Sequence, residues 1–221
     1  MEKDEGLYRR FLSLAVVLVL QNVVTLSVNL ADNMMLGAYS ETALAGVAAV
    51  NQIQFVYQQL LHALGDGVVI VGSQYWGKNQ TVPMKRLASA AMRFGLVLSI
   101  ALFAVVSLIP YRVMGIFTRD SGIIAEGARY LNIIRFTYLF FAVTQILLAT
   151  LRSVETVKIA FKLSALTLFV NCGINHVLIN GHFGAPEMGV KGAAIGTLAE
   201  RPLDCIVSLI SLSKRERKLY S

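Results

Sequence analysis

Long, nearly uninterrupted runs of apolar residues alternate with short charged stretches along this chain. A helix that crosses a bilayer needs about 20 mostly apolar residues. Residues 11–36, 45–72, 87–109, 130–151, 161–179 and 192–212 each supply such a run. The pattern predicts an all-α integral membrane protein, a six-helix transmembrane bundle forming a single domain over residues 1–221. A signal peptide is the competing reading of the first run, but that run exceeds the roughly 7–15 apolar residues of a typical signal core, and further apolar runs follow it. The longest connection, residues 111–129, contains Ile116, Phe117, Ile123 and Ile124. That content predicts a short amphipathic piece lying on the membrane surface.

Polar residues interrupt the apolar runs at helical spacing. In the first run Asn22, Thr25, Asn29, Asp32 and Asn33 fall within about a third of a helix circumference, and Asn51, Gln54, Gln58, His62 and Asp66 do the same in the second. The fifth carries Ser164, Thr167, Asn171 and Asn175. A central charge costs roughly 2.5–3.5 kcal/mol on insertion scales, so such stripes face one another rather than lipid. Lining a wet cavity and hydrogen-bonding between packed helices are both open to each amide. Asp32, a carboxylate inside or near the end of a span, marks a functional site. His62 and Asp66, one turn apart, form a structural or interfacial pair, or else a proton relay or half a metal site. In the sixth run Thr197, Glu200, Arg201 and Asp204 share a face, Arg201 pairs with Asp204, and Pro202 bends the helix unless its neighbours compensate. Gly192, Ala193, Ala194 and Gly196 offer a smooth surface for close helix contact. Tyr138 and Gln145, on one face of the fourth helix, are possible cavity-wall residues.

Composition agrees with the membrane reading. Only 15% of residues are charged and the mean hydropathy is +0.63, against about a quarter charged in soluble domains. The formal net charge of +7 would suggest nucleic acid in a soluble chain, but here the positive residues sit in loops. Lys3, Arg9, Arg10, Lys78, Lys85, Arg86, Arg152, Lys158, Lys162 and the basic tail at 214–218 fall on one side, and Arg112, Arg119, Arg129 and Lys191 on the other. Both termini are therefore expected in the cytoplasm, with the protein multi-pass in a plasma (inner) membrane and no nucleic-acid partner. The tail acts as a stop signal or binds anionic membrane lipid. Tyr75 and Trp76 suit the cytoplasmic interface. Cys172 and Cys205 lie in apolar runs without metal or redox spacing and are expected as small buried hydrophobes. No GxSxG, HExxH or glycine-rich phosphate loop appears, so nothing favours an enzyme or a bound cofactor.

In order, the segments Asp32-Asn-Met-Met-Leu-Gly37, Gly72-Ser-Gln-Tyr-Trp-Gly77, Leu151-Arg-Ser-Val-Glu-Thr-Val-Lys158 and Gly189-Val-Lys-Gly-Ala-Ala-Ile-Gly-Thr197 resemble the multidrug and toxic compound extrusion (MATE) family across nearly the whole chain. The resemblance implies one lobe, the amino-terminal one, of an antiporter that exports cationic drugs or metabolites in exchange for Na⁺ or H⁺. Asp32 matches the family's first-helix acid, and Asn171-Cys-Gly-Ile-Asn175 and Thr197 match residues that complete a cation site in some members. Asp32, Asn171, Asn175 and Thr197 are thus implied as a coupling site able to take Na⁺; Asn29, Thr25, Gln58, Tyr138 and Gln145, on the polar helix faces above, are possible cavity-lining residues.

Departures accompany the resemblance, among them Pro202, which interrupts the sixth helix just after Arg201. Asn175 stands where members with the best-defined amino-lobe site carry a carboxylate, leaving Asp32 as the expected single charge. Alternating access needs two lobes, so a second six-helix lobe or a self-dimer is implied as partner, together with an organic cation as substrate. The rival readings are a non-transporting fragment or membrane assembly subunit, and a lipid-linked sugar flippase of related architecture. A flippase would gather positive charge around its cavity, for which Arg135 and Arg201 are the strong candidates.

Overall fold

The computed structural model describes residues 2–154 and 158–220, with side chains over a smaller set. Among the described residues the chain is helical, without strands. α1 (Glu2–Tyr39) and α2 (Glu41–Gly77) are separated by Ser40, whose side chain accepts from the Ala43 N–H and caps α2. α3 (Thr81–Leu108) ends at Ile109, and Pro110 starts the one-turn α4 (Pro110–Met114), the position where a missing N–H costs least. α5 (Ser121–Ile134) and α6 (Thr137–Ser153) follow, then α7 (Lys158–Asn180), a short 3₁₀ turn, and α8 (Val190–Tyr220).

By length and composition, Ala15–Tyr39 and Thr81–Leu108 are apolar enough to cross a membrane, and α5 with α6 makes a third span if the 54° bend between them is counted as one broken helix. α2 and α8 are long enough but fall below that measure, because their cavity-side stripes of amides and charges lower the mean.

The fourth apolar run differs from the sequence expectation at its start. The helix begins at Ser121 rather than near Tyr130, because the Asp120 carboxylate accepts from Gly122 N and Ile123 N at 2.8 and 3.0 Å and caps it. Of the expected amphipathic piece, Ile116 and Phe117 are exposed, whereas Ile124 packs on the core. At the bend the Thr137 hydroxyl donates to the Ile134 carbonyl at 2.6 Å, satisfying an acceptor that the broken helix releases.

α2 packs on α5 and α6, α3 on α6, and α8 on α5, α6 and α7, while α1 leans chiefly on α7. Leu36, Val47, Val50, Leu61, Leu131 and Ile134 lie in the main core. Lipid tails are as apolar as leucine, so close fit and hydrogen bonds, rather than water exclusion, hold such a bundle. Gly46 and Gly127 supply the fit: a Cβ on Gly46 would lie 2.8 Å from Gly127 N. Tyr57 supplies the hydrogen bonds, its hydroxyl donating to the Tyr138 carbonyl at 2.6 Å and lying 2.7 Å from Ser99 Oγ. It ties α2, α3 and α6 together. Leu26, Leu30, Met34, Phe94, Val97 and Phe169 form exposed apolar faces. Cys172 and Cys205 are free and half-buried rather than buried, each near an exposed helix face. α8 continues as helix through Pro202.

Candidate functional site

The polar stripes of α1 and α2 face each other across a cavity of about 580 Å³. Asn22, Asn29, Asp32 and Asn33 wall it from α1, and Asn51, Gln54, Gln58, His62 and Asp66 from α2. Thr144, Gln145 and Arg152 of α6, Tyr130 of α5, and Thr197, Glu200, Arg201 and Asp204 of α8 complete most of the polar lining. The stripe read on α7 behaves differently. Thr167 reaches the cavity, but Asn171 and Asn175 are both 0% exposed, packed where α7 meets its neighbours. The side chains of Thr25 and Ser164, and those of the tail at 214–218, lie outside the described residues.

Asp32 is held from α7. Asn175 Nδ2 donates to Asp32 Oδ1 at 2.6 Å and to Asn171 Oδ1 at 3.0 Å. A hydrogen bond onto an ionised acceptor is shorter and roughly twice as strong as a neutral one, so the first of these fixes the carboxylate. Asn171 Nδ2 and Asn175 Oδ1 are buried without a hydrogen-bond partner. Space for Asn175 comes from Gly196 of α8, where a Cβ would collide with the amide oxygen. One turn earlier, a Cβ on Gly192 would lie 2.7 Å from the Leu178 backbone. The small residues of α8 therefore set how near α7 can bring its amides. The Thr197 hydroxyl donates to the Ala193 carbonyl at 3.2 Å, and Tyr130 of α5 lies beside it.

Arg201 sits between two acids of its own helix, 3.5 Å from Glu200 and 3.6 Å from Asp204. Its guanidinium lies 5.1 Å from the centre of the Phe141 ring, a cation–π arrangement. The expected Arg201–Asp204 pair is present, and Glu200, which the spacing alone did not distinguish, shares the same cation. His62 stacks edge-on against Phe141 at 6.2 Å.

Two expected residues are elsewhere. Tyr138 does not line the cavity: it is 2% exposed, with its ring 5.2 Å from that of Tyr57. Gln145, seven residues further along α6, does reach the wall, because α2 and α3 cover the Tyr138 end of the helix. Arg135 is also off the cavity, its guanidinium 5.7 and 5.2 Å from the Phe103 and Phe136 rings. Of the two arginines expected of a flippase cavity, Arg201 lines it and Arg135 does not, while Arg152 does. His176 and His182 meet edge-on at 4.4 Å on an exposed surface.

Among the described residues no three His, Cys, Asp or Glu side chains gather into a metal-holding group. The acceptors in this part of the site are instead carboxylate, amide and hydroxyl oxygens, with the Asn175 nitrogen turned toward the Asp32 carboxylate. Hard monovalent and alkaline-earth ions take such oxygens, and transition metals prefer nitrogen and sulfur. The Asn175 amide oxygen, buried with no donor, lies against Gly196 of α8, while the nitrogen of the same amide meets Asp32.

The family model MatE matches residues 18–177, the stretch that contains this cluster except for its α8 face. The chain belongs to the MatE family. MatE proteins are multi-pass membrane transporters rather than enzymes. A protein of Thermotoga maritima described as probable multidrug resistance protein NorM is 28% identical over 97% of this chain and 46% of its own length. Another so described, from Rhizobium meliloti, is 25% identical over 96% of this chain and 45% of its own length. Among solved structures, one of MATE in complex with MaD3S superposes with a TM-score of 0.83 at 16% identity, over 92% of this chain and 45% of that one. A MOP superfamily transporter from Pyrococcus furiosus gives 0.81 at 16% identity, over 92% and 44%. These likenesses establish the MATE fold. The chain spans about half the length of the curated relatives it matches.

Proposed function

We propose that the chain forms one lobe of a membrane antiporter that exports organic cations in exchange for Na⁺ or H⁺. It crosses a plasma (inner) membrane six times with both termini in the cytoplasm, and works with a second six-helix lobe or a second copy of itself. The observation that carries this reading is Asp32, held by Asn175 at the wall of an amide-lined cavity. A carboxylate placed there attracts a cationic substrate and the exchanging ion alike, and one charge serves them in turn.

Asp32, Asn171, Asn175 and Thr197 are the residues that would hold a coupling ion. That ion, when bound, neutralises the carboxylate and so weakens its hold on the substrate. Asn175 orients Asp32, Asn171 orients Asn175, and Thr197 offers a neutral oxygen from α8. Asn29, Gln58 and Gln145 line the route with groups that hydrogen-bond water or substrate without adding charge. Alternating access moves two halves around a midplane site, and this chain supplies one of them.

Efflux of a fluorescent cationic dye from drug-sensitive bacteria expressing residues 1–221 tests this reading, beside Asp32→Asn at equal membrane level. Efflux lost with Asp32→Asn is the expected result. Dye efflux equal in the two strains would remove Asp32 from the mechanism, and no efflux despite insertion would exclude a self-dimer as the working unit.

A further inference from the structure

Arg135, at the bend where α5 gives way to α6, takes no part in the cavity. An arginine stays charged inside proteins. Within a span such a charge pairs with an acid, faces a water-filled cavity, or reaches out to the headgroup level. We propose that Arg135 anchors a binding site for the phosphate of an anionic phospholipid, on the lipid-facing side of α3 and the α5–α6 bend. This site is independent of Asp32.

Among the described residues the Arg135 side chain enters no ion pair and no hydrogen bond. Its neighbours are the Phe103 and Phe136 rings, whose centres lie 5.7 and 5.2 Å from the guanidinium carbon and 5.5 Å from each other. Aromatic faces attract a cation, but they offer no acceptor to its N–H groups. Nε is buried without a partner, whereas the side chain as a whole is half-buried. The terminal nitrogens are therefore the ones that open outward.

The face onto which they open suits lipid. The most apolar stretch of α3 has a mean hydropathy of 2.2 and is largely exposed. Ile100 and Leu108 of α3 are exposed, as are Phe136 and Phe140 beside the bend. Depth fits as well. Phe103 lies about 7.5 Å along the helix from Leu108, the last residue of α3, at 1.5 Å per residue. The guanidinium thus stands just inside the apolar layer, from where arginine snorkels to the interface. Exposed Tyr111 of α4 marks the headgroup level at that end, since tyrosine favours it. Ser107, one turn from Phe103 toward the same end and on the same face of α3, has a buried hydroxyl without a partner. It is a second unpaired polar group on this side. A phosphate supplies what the chain withholds: two oxygens that match the guanidinium fork, on a molecule whose acyl chains lie along the apolar face of α3.

Native mass spectrometry of the purified full chain, titrated in detergent with phosphatidylglycerol or phosphatidylcholine, tests the assignment. The parent should bind its first phosphatidylglycerol about fivefold or more tighter than phosphatidylcholine, the preference one basic residue gives toward anionic lipid. Arg135→Gln should bind the two lipids alike. Arg135→Lys, which keeps the charge but not the flat fork, should keep part of the preference, showing that the loss in Arg135→Gln is not one of folding. Arg119→Gln removes an equal charge from the exposed connection before α5 and should leave the preference within about twofold of the parent. Soluble glycerol phosphate should not displace the lipid. Equal affinity of the parent for both lipids, or a preference that survives Arg135→Gln, would overturn the site. Equal losses in Arg135→Gln and Arg119→Gln would overturn it too, since general surface charge would then be acting. Displacement by glycerol phosphate would refute the lipid assignment, because the acyl chains would then contribute nothing.

Discussion

Adding one methyl group to Gly196 should dismantle the Asp32 site without touching a charged residue. A Cβ there collides with the Asn175 amide oxygen, so in Gly196→Ala either α8 retreats or Asn175 swings away from Asp32 and Asn171. Swinging away loses a charge-assisted hydrogen bond of 2.6 Å and a neutral one of 3.0 Å. Bonds of these kinds are worth about 1.5–3 and about 0.5–1.5 kcal/mol. Alanine returns about 1 kcal/mol of helix propensity, so the net cost is about 1–3.5 kcal/mol. Unfolding in mixed micelles with increasing sodium dodecyl sulfate reads this directly. Gly67→Ala is the control, since nothing lies within 4 Å of a Cβ at that position, and it should be neutral or stabilising. In an Asn175→Ala background the obstruction is gone, and Gly196→Ala should then cost nothing or stabilise. Costs for Asn175→Ala and Gly196→Ala that add within about 0.5 kcal/mol would refute the proposed clash, because independent sites add and sites in contact do not.

Other positions give separate checks. Tyr57→Phe removes the hydroxyl that ties α2, α3 and α6 and leaves Ser99 without it; a loss of about 1–3 kcal/mol is expected in the same unfolding assay, with the cavity chemistry unchanged. Gly46→Ala forces α2 off Gly127 and should destabilise by about 1–3 kcal/mol, and a stabilising effect would place that helix contact elsewhere. On a background lacking Cys172 and Cys205, Gln58→Cys should react with a water-soluble maleimide in membranes, whereas Leu60→Cys, on an exposed apolar face, should not; equal labelling would contradict a wet cavity bounded by α2.

Much of the cavity was legible because polar residues are scarce in a membrane helix, so their spacing on α1 and α2 carries the signal with little noise. Asp32 stood out for the same reason. The meeting of Asp32 with Asn171 and Asn175 was not legible from periodicity, which locates a face on one helix but not its partner; only the ordered motifs suggested it. Tyr138 and Gln145 share a helix face yet differ in surroundings, since burial changes along α6 as α2 and α3 cross it, and spacing has no term for that. The bend near Arg135 has neither proline nor glycine to announce it. The early start of α5 was written in Asp120, a cap residue hidden by counting apolar runs alone. Glu200 reads in the sequence as one more charge on α8, because spacing along that helix has no term for the Asn171 side chain that α7 brings beside it.

The most direct test of a shared ion and substrate site at Asp32 is displacement of bound ²²Na⁺ from the purified chain by ethidium, read by scintillation proximity. Ethidium should displace the ion from the parent protein in a saturable way, and Asp32→Asn should hold no ion to displace. Full retention of ²²Na⁺ at saturating ethidium, or ion binding that survives Asp32→Asn, would contradict a single carboxylate serving both in turn.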